Sequence, residues 1–465
     1  MSDADDFLNS IYPYRTRFET HAVLPAHGVD RATILEQLGA MAQEEDAKGD
    51  RGQVSGSLYH GGHDHYHFLT EAFEAFAHAN VIQRDMYPSA TKMEGEIVAM
   101  ALDMFGGGHA EDACGVITSG GSESLMTAVY TYREAGRERG ITEPEMIWPE
   151  TAHVALDKGA YYFGVKVIKA PVDENYQVDV AWVRDHITPN TVAIAASAGT
   201  YPHGVIDPIT ELGALALEKG IGFHVDGCLG GFILAWAKDC GVEVPPFDFR
   251  VPGVTSMSAD THKYGYALKG TSVLMYSSKE LRKHQYFTVG GWPGGIYISP
   301  GMAGSRSGGV IAATWAAMLN LGREGYVEIA KGIFEAADKL IAGIEAIPEL
   351  QILGKPYFLV AFASADPDLN IYHVNDALAA RGWRMNGLQK PDAIHFCVTR
   401  PNTAPGLIEQ FLDDLRASVD EAKGKEGEPD SGALYGLSGT GPEGVAVVED
   451  ILAGALDAFY DVPKG

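Results

Sequence analysis

Apolar positions along the chain follow two rhythms that take turns. "CGVITSGG" (114–121) is a short apolar run closed by glycines, the mark of a strand leading into a turn. The next stretch, "SESLMTAVYTYREAGRERG" (122–140), places Leu125, Ala128, Val129, Tyr132 and Ala135 on one face at helical spacing. "TVAIAAS" (191–197) has the continuous apolar character of a buried strand. "DPITELGALALEKG" (207–220) follows as a helix, with Asp207 expected as its N-cap and Pro208 at the first helical position. "IGFHVDG" (221–227) returns to a strand. This alternation predicts an α/β domain with a mostly parallel sheet and helices on both faces.

The texture changes near residue 325. "YVEIAKGIFEAADKLIAGIEAI" (326–347) reads as a long amphipathic helix. The strand candidates "FLVAFAS" (358–364) and "AIHFCVT" (393–399) then flank the helix "IYHVNDALAARG" (371–382). "GKEGEPDSG" (424–432) is a polar loop before a last helix beginning near Glu443. The expected division is an N-terminal segment, 1–60, packing on a partner subunit, a large domain, 61–325, and a small α+β domain, 326–465. No internal repeat is visible.

Composition narrows the function classes. At 465 residues, with 46% hydrophobic and 21% charged positions, the chain is long enough for more than one globular domain. A net charge of -27 without a basic run argues against nucleic acid and anionic lipid surfaces as partners. The start has neither signal-peptide regions nor a membrane-length apolar run. Four cysteines without metal-type spacing suit a reducing, cytoplasmic setting, and no metal site is expected.

Three stretches carry chemistry together. In "TSGGSES" (118–124), Gly120, Gly121 and Ser122 sit where a strand runs into a helix start, and bare amides there favour an anion such as phosphate. In "FHVDGCLGG" (223–231), Asp226 ends an apolar strand, where it is either a turn residue or a carboxylate aimed at a protonated ring nitrogen. In "SADTHKYGYALKG" (258–270), Lys263 and Lys269 stand among small and apolar residues; a desolvated lysine has a lowered pKa and suits a Schiff base. A phosphate cradle, a strand-end aspartate and a later lysine are the parts that pyridoxal 5'-phosphate needs. His153, in "ETAHVALDKGAYYFG" (150–164), is placed to lie on the cofactor ring.

With "YPHGVIDP" (201–208), "HVDGCLGGF" (224–232), "VTSMSADTHKYGYALKGTSVLMY" (254–276) and "GGIYISPGMAGSRSGG" (294–309), the chain closely resembles the sphingosine-1-phosphate lyase family. That family lies in the fold-type-I, group II decarboxylase-like superfamily, and the resemblance runs from about Gly56 to "GALYG" (432–436). It implies Lys263 as Schiff-base lysine, Asp226 as the pyridine-nitrogen partner and His153 as the ring-stacking residue. Gly121, Ser122 and His262, with Thr200 beside them, match phosphate-contacting positions. Lys269 matches a second lysine needed for activity; Tyr59, Asn80, Tyr201 and Ser305 match the substrate side, some contributed across a homodimer interface. The implied reaction is retro-aldol cleavage of a phosphorylated long-chain 2-amino-3-hydroxy compound to an aldehyde and phosphoethanolamine. The catalytic base stays open among Lys263, Lys269, Tyr201 and the cofactor phosphate. Eukaryotic relatives carry a membrane anchor, so a soluble bacterial-type form is expected here.

One departure stands out: the family's "NPLHPD" reads "NVIQRD" (80–85), replacing a phosphate-binding histidine by Gln83. Arg84 or Arg306 is expected to supply the missing charge. The cluster His60, His63, His65 and His67 is read as a polar face on an extended segment rather than a metal site, and Tyr435 either reaches the site or packs. An amino-acid decarboxylase would share every cofactor residue, and an idle cofactor-binding regulatory dimer is the remaining alternative.

Overall fold

The computed structural model describes residues 11–15, 17–432 and 441–463. It divides into a larger unit, Tyr59–Phe362 with His395–Thr403, and a smaller one, Met1–Leu58 with Ala363–Ile394 and Ala404–Gly465. The expected boundary at 325 falls inside a single long helix, Gly308–Glu345, three residues past a break at Gly322 (φ 55°). Buried positions on both sides of that break keep the helix in the larger unit.

The larger unit is built on a seven-stranded sheet: β1 (Cys114–Thr118), β2 (Glu145–Pro149), β3 (Lys166–Ala170), β4 (Thr191–Ser197), β5 (Gly222–Asp226), β6 (Ser256–Ala259) and β7 (Ser272–Tyr276). Their order is β1-β7-β6-β5-β4-β2-β3. Only the pairings of β7, with β1 and β6, are antiparallel; the others are parallel. β4 is buried at all seven positions, which is why it reads as an unbroken apolar run: it is covered on both faces. The helix Gly121–Glu138 lays Leu125, Val129 and Tyr132 against Met146, Trp148 and Ala193, all nearly inaccessible. Each such apolar side chain contributes about 1.5–3 kcal/mol over its exposed state.

The register fixes the level of the site. Ser197 on β4 pairs with Asp226 on β5, which pairs with Ser258 on β6. The carboxyl ends of the central strands therefore finish side by side, where open α/β sheets take their ligands.

Two local readings change. Asp207 does not cap the helix Ile209–Lys219, whose N-cap is Pro208. It is 1% exposed and instead accepts the amides of Ser197 (2.8 Å) and Val178 (3.0 Å). Burial pushes its pKa up to about 6. The histidine-rich segment is helical from His63, and buried His65 bonds the Tyr266 carbonyl at 2.9 Å through Nε2. Helical, not extended, spacing explains why His65 points inward while His63 and His67 are exposed. Tyr435 lies outside the described residues. No helix among the described residues is long and apolar enough to cross a membrane.

Candidate active site

The turn after β1 is shaped for close approach. Gly120 has φ 149°, a region that favours glycine, and forms an N-cap with no side-chain hydrogen bond. A Cβ on Gly121 would lie 2.7 Å from Asp260 Oδ2 and 3.0 Å from Cys228 Sγ; one on Gly120 would lie 3.2 Å from His262 Cε1. Side chains are thereby excluded where the helix Gly121–Glu138 presents its first amides, which have no intrahelical acceptors. Ser122, the second residue of that helix, is exposed beside them.

Lys263 follows β6 in a tight turn. Its Nζ lies 3.0 Å from Oδ2 of Asp260; the two side chains are 24% and 2% exposed. His262 Nε2 stands 3.6 Å from the same oxygen. Burial pushes the Lys263 pKa down, as its sequence context suggests, but the charge of Asp260, its hydrogen bond and the nearby Asp226 outweigh that, and the net shift is upward. The expectation of a lowered Lys263 pKa is therefore corrected by a carboxylate that the sequence reading passed over. Lys269 shows the opposite balance. Although exposed as a residue, its ammonium is drawn inward, donating to the His262 carbonyl at 3.1 Å and lying 4.9 Å from the Tyr59 ring centroid. Desolvation and the Lys263 charge lower its pKa.

Asp226 ends β5 at 7% exposure, and its Oδ1 accepts the Cys228 amide at 3.0 Å. Beneath it runs a buried polar ladder. His224 bonds Ser256 at 2.7 Å and Ser258 at 3.2 Å, and the Cys228 thiol donates to Ser258 at 3.1 Å. Burial pushes the His224 pKa down to about 4, so the ladder is neutral near pH 7. Thr200, fully buried after β4, holds the Val205 carbonyl through its amide at 2.8 Å. His153 accepts the Ala155 amide at 3.1 Å and meets Tyr201 edge-on, with centroids 6.4 Å apart. Tyr201 is half-exposed and packs on His395 at 5.1 Å. Tyr59 is buried against Tyr264 at 5.0 Å.

Asn80, Gln83 and Ser305 form a group of their own. Asn80 Nδ2 donates to Ser305 Oγ at 2.9 Å, and its Oδ1 accepts the Arg306 amide at 3.3 Å. Gln83 is exposed. Both guanidinium groups expected to replace the charge are paired with buried Glu94. Arg306 meets Glu94 at 2.7 and 3.3 Å and the Ile117 carbonyl at 3.1 Å, while Arg84 pairs with Glu94 Oε2.

Asp260 and Glu94 are the functional candidates that sequence reasoning missed. For Asp260 a signal existed: Ser256, Ser258 and Asp260 alternate with Met257 and Ala259, one polar face at period two running from β6 to the lysine. Glu94 left none, since its partners lie 10 and 212 residues away.

These residues fit a phosphorylated aldehyde cofactor. Thr200 Oγ1, His262 Nδ1 and Asp260 Oδ1 are buried and have no hydrogen-bond partner among the described residues. Such groups are costly unless something polar meets them. His262 and Asp260 stand against the glycine turn at a helix start, and Asp260 also pairs with the Lys263 amine.

The sheet order, the lysine after β6 and the carboxylate ending β5 define a fold-type-I pyridoxal-phosphate enzyme. A family model described as the pyridoxal-dependent decarboxylase conserved domain matches residues 53–364. The chain is 43% identical over 452 residues to a sphingosine-1-phosphate lyase of Arabidopsis thaliana, covering 94% of this chain and 81% of that one. A solved sphingosine-1-phosphate lyase of Burkholderia pseudomallei superposes with a TM-score of 0.91 at 48% identity, covering 97% of this chain and 100% of that one. A Lactobacillus brevis glutamate decarboxylase, with a TM-score of 0.75 at 20% identity and coverage of 90% and 99%, shares the fold. The chain belongs to the sphingosine-1-phosphate lyase family.

Proposed function

We propose that this chain cleaves the Cα–Cβ bond of a phosphorylated long-chain 2-amino-3-hydroxy amine of the sphingosine-1-phosphate type, releasing a long-chain aldehyde and phosphoethanolamine. The reading is carried by one coincidence: Lys263 is paired with the buried Asp260, which stands against Gly121 of the glycine turn, in a chain 48% identical, over 97% of its length, to a bacterial sphingosine-1-phosphate lyase. Pyridoxal 5'-phosphate, when bound, supplies a carbonyl for the substrate amine and a ring that accepts the electron pair of the broken bond.

Lys263 is the residue assigned to hold that carbonyl. Gly121, Ser122, Thr200 and His262 are assigned to the cofactor phosphate, Asp226 to its ring nitrogen and His153 to its ring. Asp226 is fixed for its task by the Cys228 amide, and the neutral ladder below it brings no competing cation. Lys269, with its lowered pKa and no salt bridge to a carboxylate among the described residues, takes the 3-hydroxyl proton as the carbon–carbon bond opens. Tyr59 and Tyr201 line the approach. The Asn80–Ser305 group with Gln83 receives the anionic head, and in a homodimer with shared sites it serves the partner's lysine. The N-terminal segment, 1–60, packs on that partner, and the enzyme works in the cytoplasm.

The test is incubation with a sphingoid-base phosphate, with glutamate and with aromatic amino acids, measuring aldehyde against carbon dioxide. Aldehyde with phosphoethanolamine from the first supports the proposal. Carbon dioxide from an amino acid, without aldehyde from the phosphate, refutes it.

A further inference from the structure

One nearly inaccessible carboxylate of the larger unit, that of Asp260, stands beside the lysine. It is 2% exposed, one of its oxygens lies 3.0 Å from Lys263 Nζ, and the other has no hydrogen-bond partner among the described residues. It also stands where a Cβ on Gly121 would be, 2.7 and 2.9 Å from that position. A lysine tail is long and flexible, so something must choose which of its positions is occupied. A buried carboxylate at the glycine turn makes that choice.

We propose that Asp260 is the positioning residue of Lys263: its carboxylate holds the lysine as an ammonium at the Gly120–Gly121 turn until the cofactor arrives. The proposal rests on the reading of Lys263 as the cofactor lysine. The device separates the two lysines by function. Lys263 is kept in place and charged, while Lys269, which shares no such partner, is left the more readily neutralised cation.

Other charged or titratable groups face the pair. Asp226 and Cys228 lie at the end of β5, His262 is adjacent, Lys269 approaches from the following turn, Cys397 acts on Lys263, and Tyr59 faces Asp260. None of these makes a salt bridge to Nζ among the described residues, whereas Asp260 does. Asp226 shares the effect at longer range, so removing Asp260 is expected to diminish the shift rather than reverse every contribution.

The experiment uses the full chain, stripped of cofactor with hydroxylamine and checked by its capacity to refill. Brief acylation with acetic anhydride across pH 7–11, followed by peptide mass spectrometry, reads the titration of each lysine separately. In the wild type, Lys263 is expected to titrate above Lys269. In Asp260→Asn, acylation of Lys263 near pH 8 is expected to rise at least tenfold, the equivalent of about one pH unit. Exposed Lys166 is the internal reference and should not change. Asp260→Glu should recover most of the wild-type profile. If Lys263 titrates alike in the wild type and Asp260→Asn, or below Lys269 in the wild type, the proposal is wrong; the second result needs no variant to fold. Borohydride tagging of the loaded enzyme tests the underlying reading independently. A tag away from Lys263 refutes the cofactor assignment and leaves the Asp260–Lys263 titration measurable.

Discussion

Glu94 joins three parts of the larger unit, and removing it should be felt in both stability and substrate affinity. It projects from the helix Pro88–Met104 at 6% exposure. Its carboxylate accepts the Ile117 amide of β1 at 3.3 Å, two Arg306 bonds and one from Arg84. The Arg306 side chain is 14% exposed and that of Arg84 40%. In Glu94→Ala the Arg306 guanidinium keeps only the Ile117 carbonyl, so a nearly buried cation loses its counter-charge. Breaking such a pair costs about 3–5 kcal/mol, whereas the half-exposed Arg84 branch adds at most about 1 kcal/mol. For a chain this long the unfolding entropy is roughly 1 kcal/mol per degree, so Tm should fall by roughly 3–5 °C.

The pH dependence gives a second check. Burial raises the Glu94 pKa, but Arg306 and Arg84 outweigh it, and the net shift is downward. A carboxylate depressed in the fold contributes stability above its unfolded pKa and loses it as pH falls through the folded value. The difference in Tm between wild type and Glu94→Ala should thus be constant from pH 8 to about 6 and shrink below about pH 4. Scanning fluorimetry at fixed cofactor concentration measures it. Because the Arg306 amide also holds Asn80, KM for the phosphorylated substrate should rise more than kcat falls. A Tm within 1 °C of wild type at pH 7, with unchanged KM, would refute the clamp.

Three further outcomes follow from the site. Asp226→Asn keeps the turn contact to the Cys228 amide but not the charge, so turnover should fall far more than cofactor affinity; near-native kcat removes the ring-nitrogen role. Lys269→Ala should collapse kcat/KM while cofactor absorbance persists, and unchanged kinetics would return this lysine to a surface charge. Gln83→His should lower KM for a sphingoid phosphate, most strongly below pH 6.5 where imidazole is charged; equal KM at every pH would place the head group elsewhere.

What the sequence made legible was whatever repeats or runs contiguously. The runs that became β4 and β5 showed because parallel strands covered on both faces must be apolar along their length, as in β4. Gly120, Gly121, Asp226 and Lys263 showed because each sits at the end of such a run. The helix Gly308–Glu345 was read only from Tyr326, since paired glycines at its start and Gly322 within it resemble punctuation. Asp207 looked like a cap because Asp-Pro usually starts a helix, yet two distant amides claimed its carboxylate.

Charge was the part least open to sequence reasoning, and for one physical reason. Composition enumerates cations and anions, but the sign of a shift depends on which of them meet. Lys263 and Lys269 lie six positions apart in the same turn-rich stretch, and burial disfavours the charge on both. One meets Asp260 and its pKa is raised; the other meets a carbonyl and an aromatic face and its pKa is lowered. Arg84 and Arg306 gave no sequence sign of a partner, yet both pair with Glu94. In each case a single buried carboxylate, inconspicuous among 62 acidic residues, decides what its cation can do. A net charge of -27 therefore says little about this site: two acids, Asp260 and Glu94, set its local electrostatics from beneath the surface.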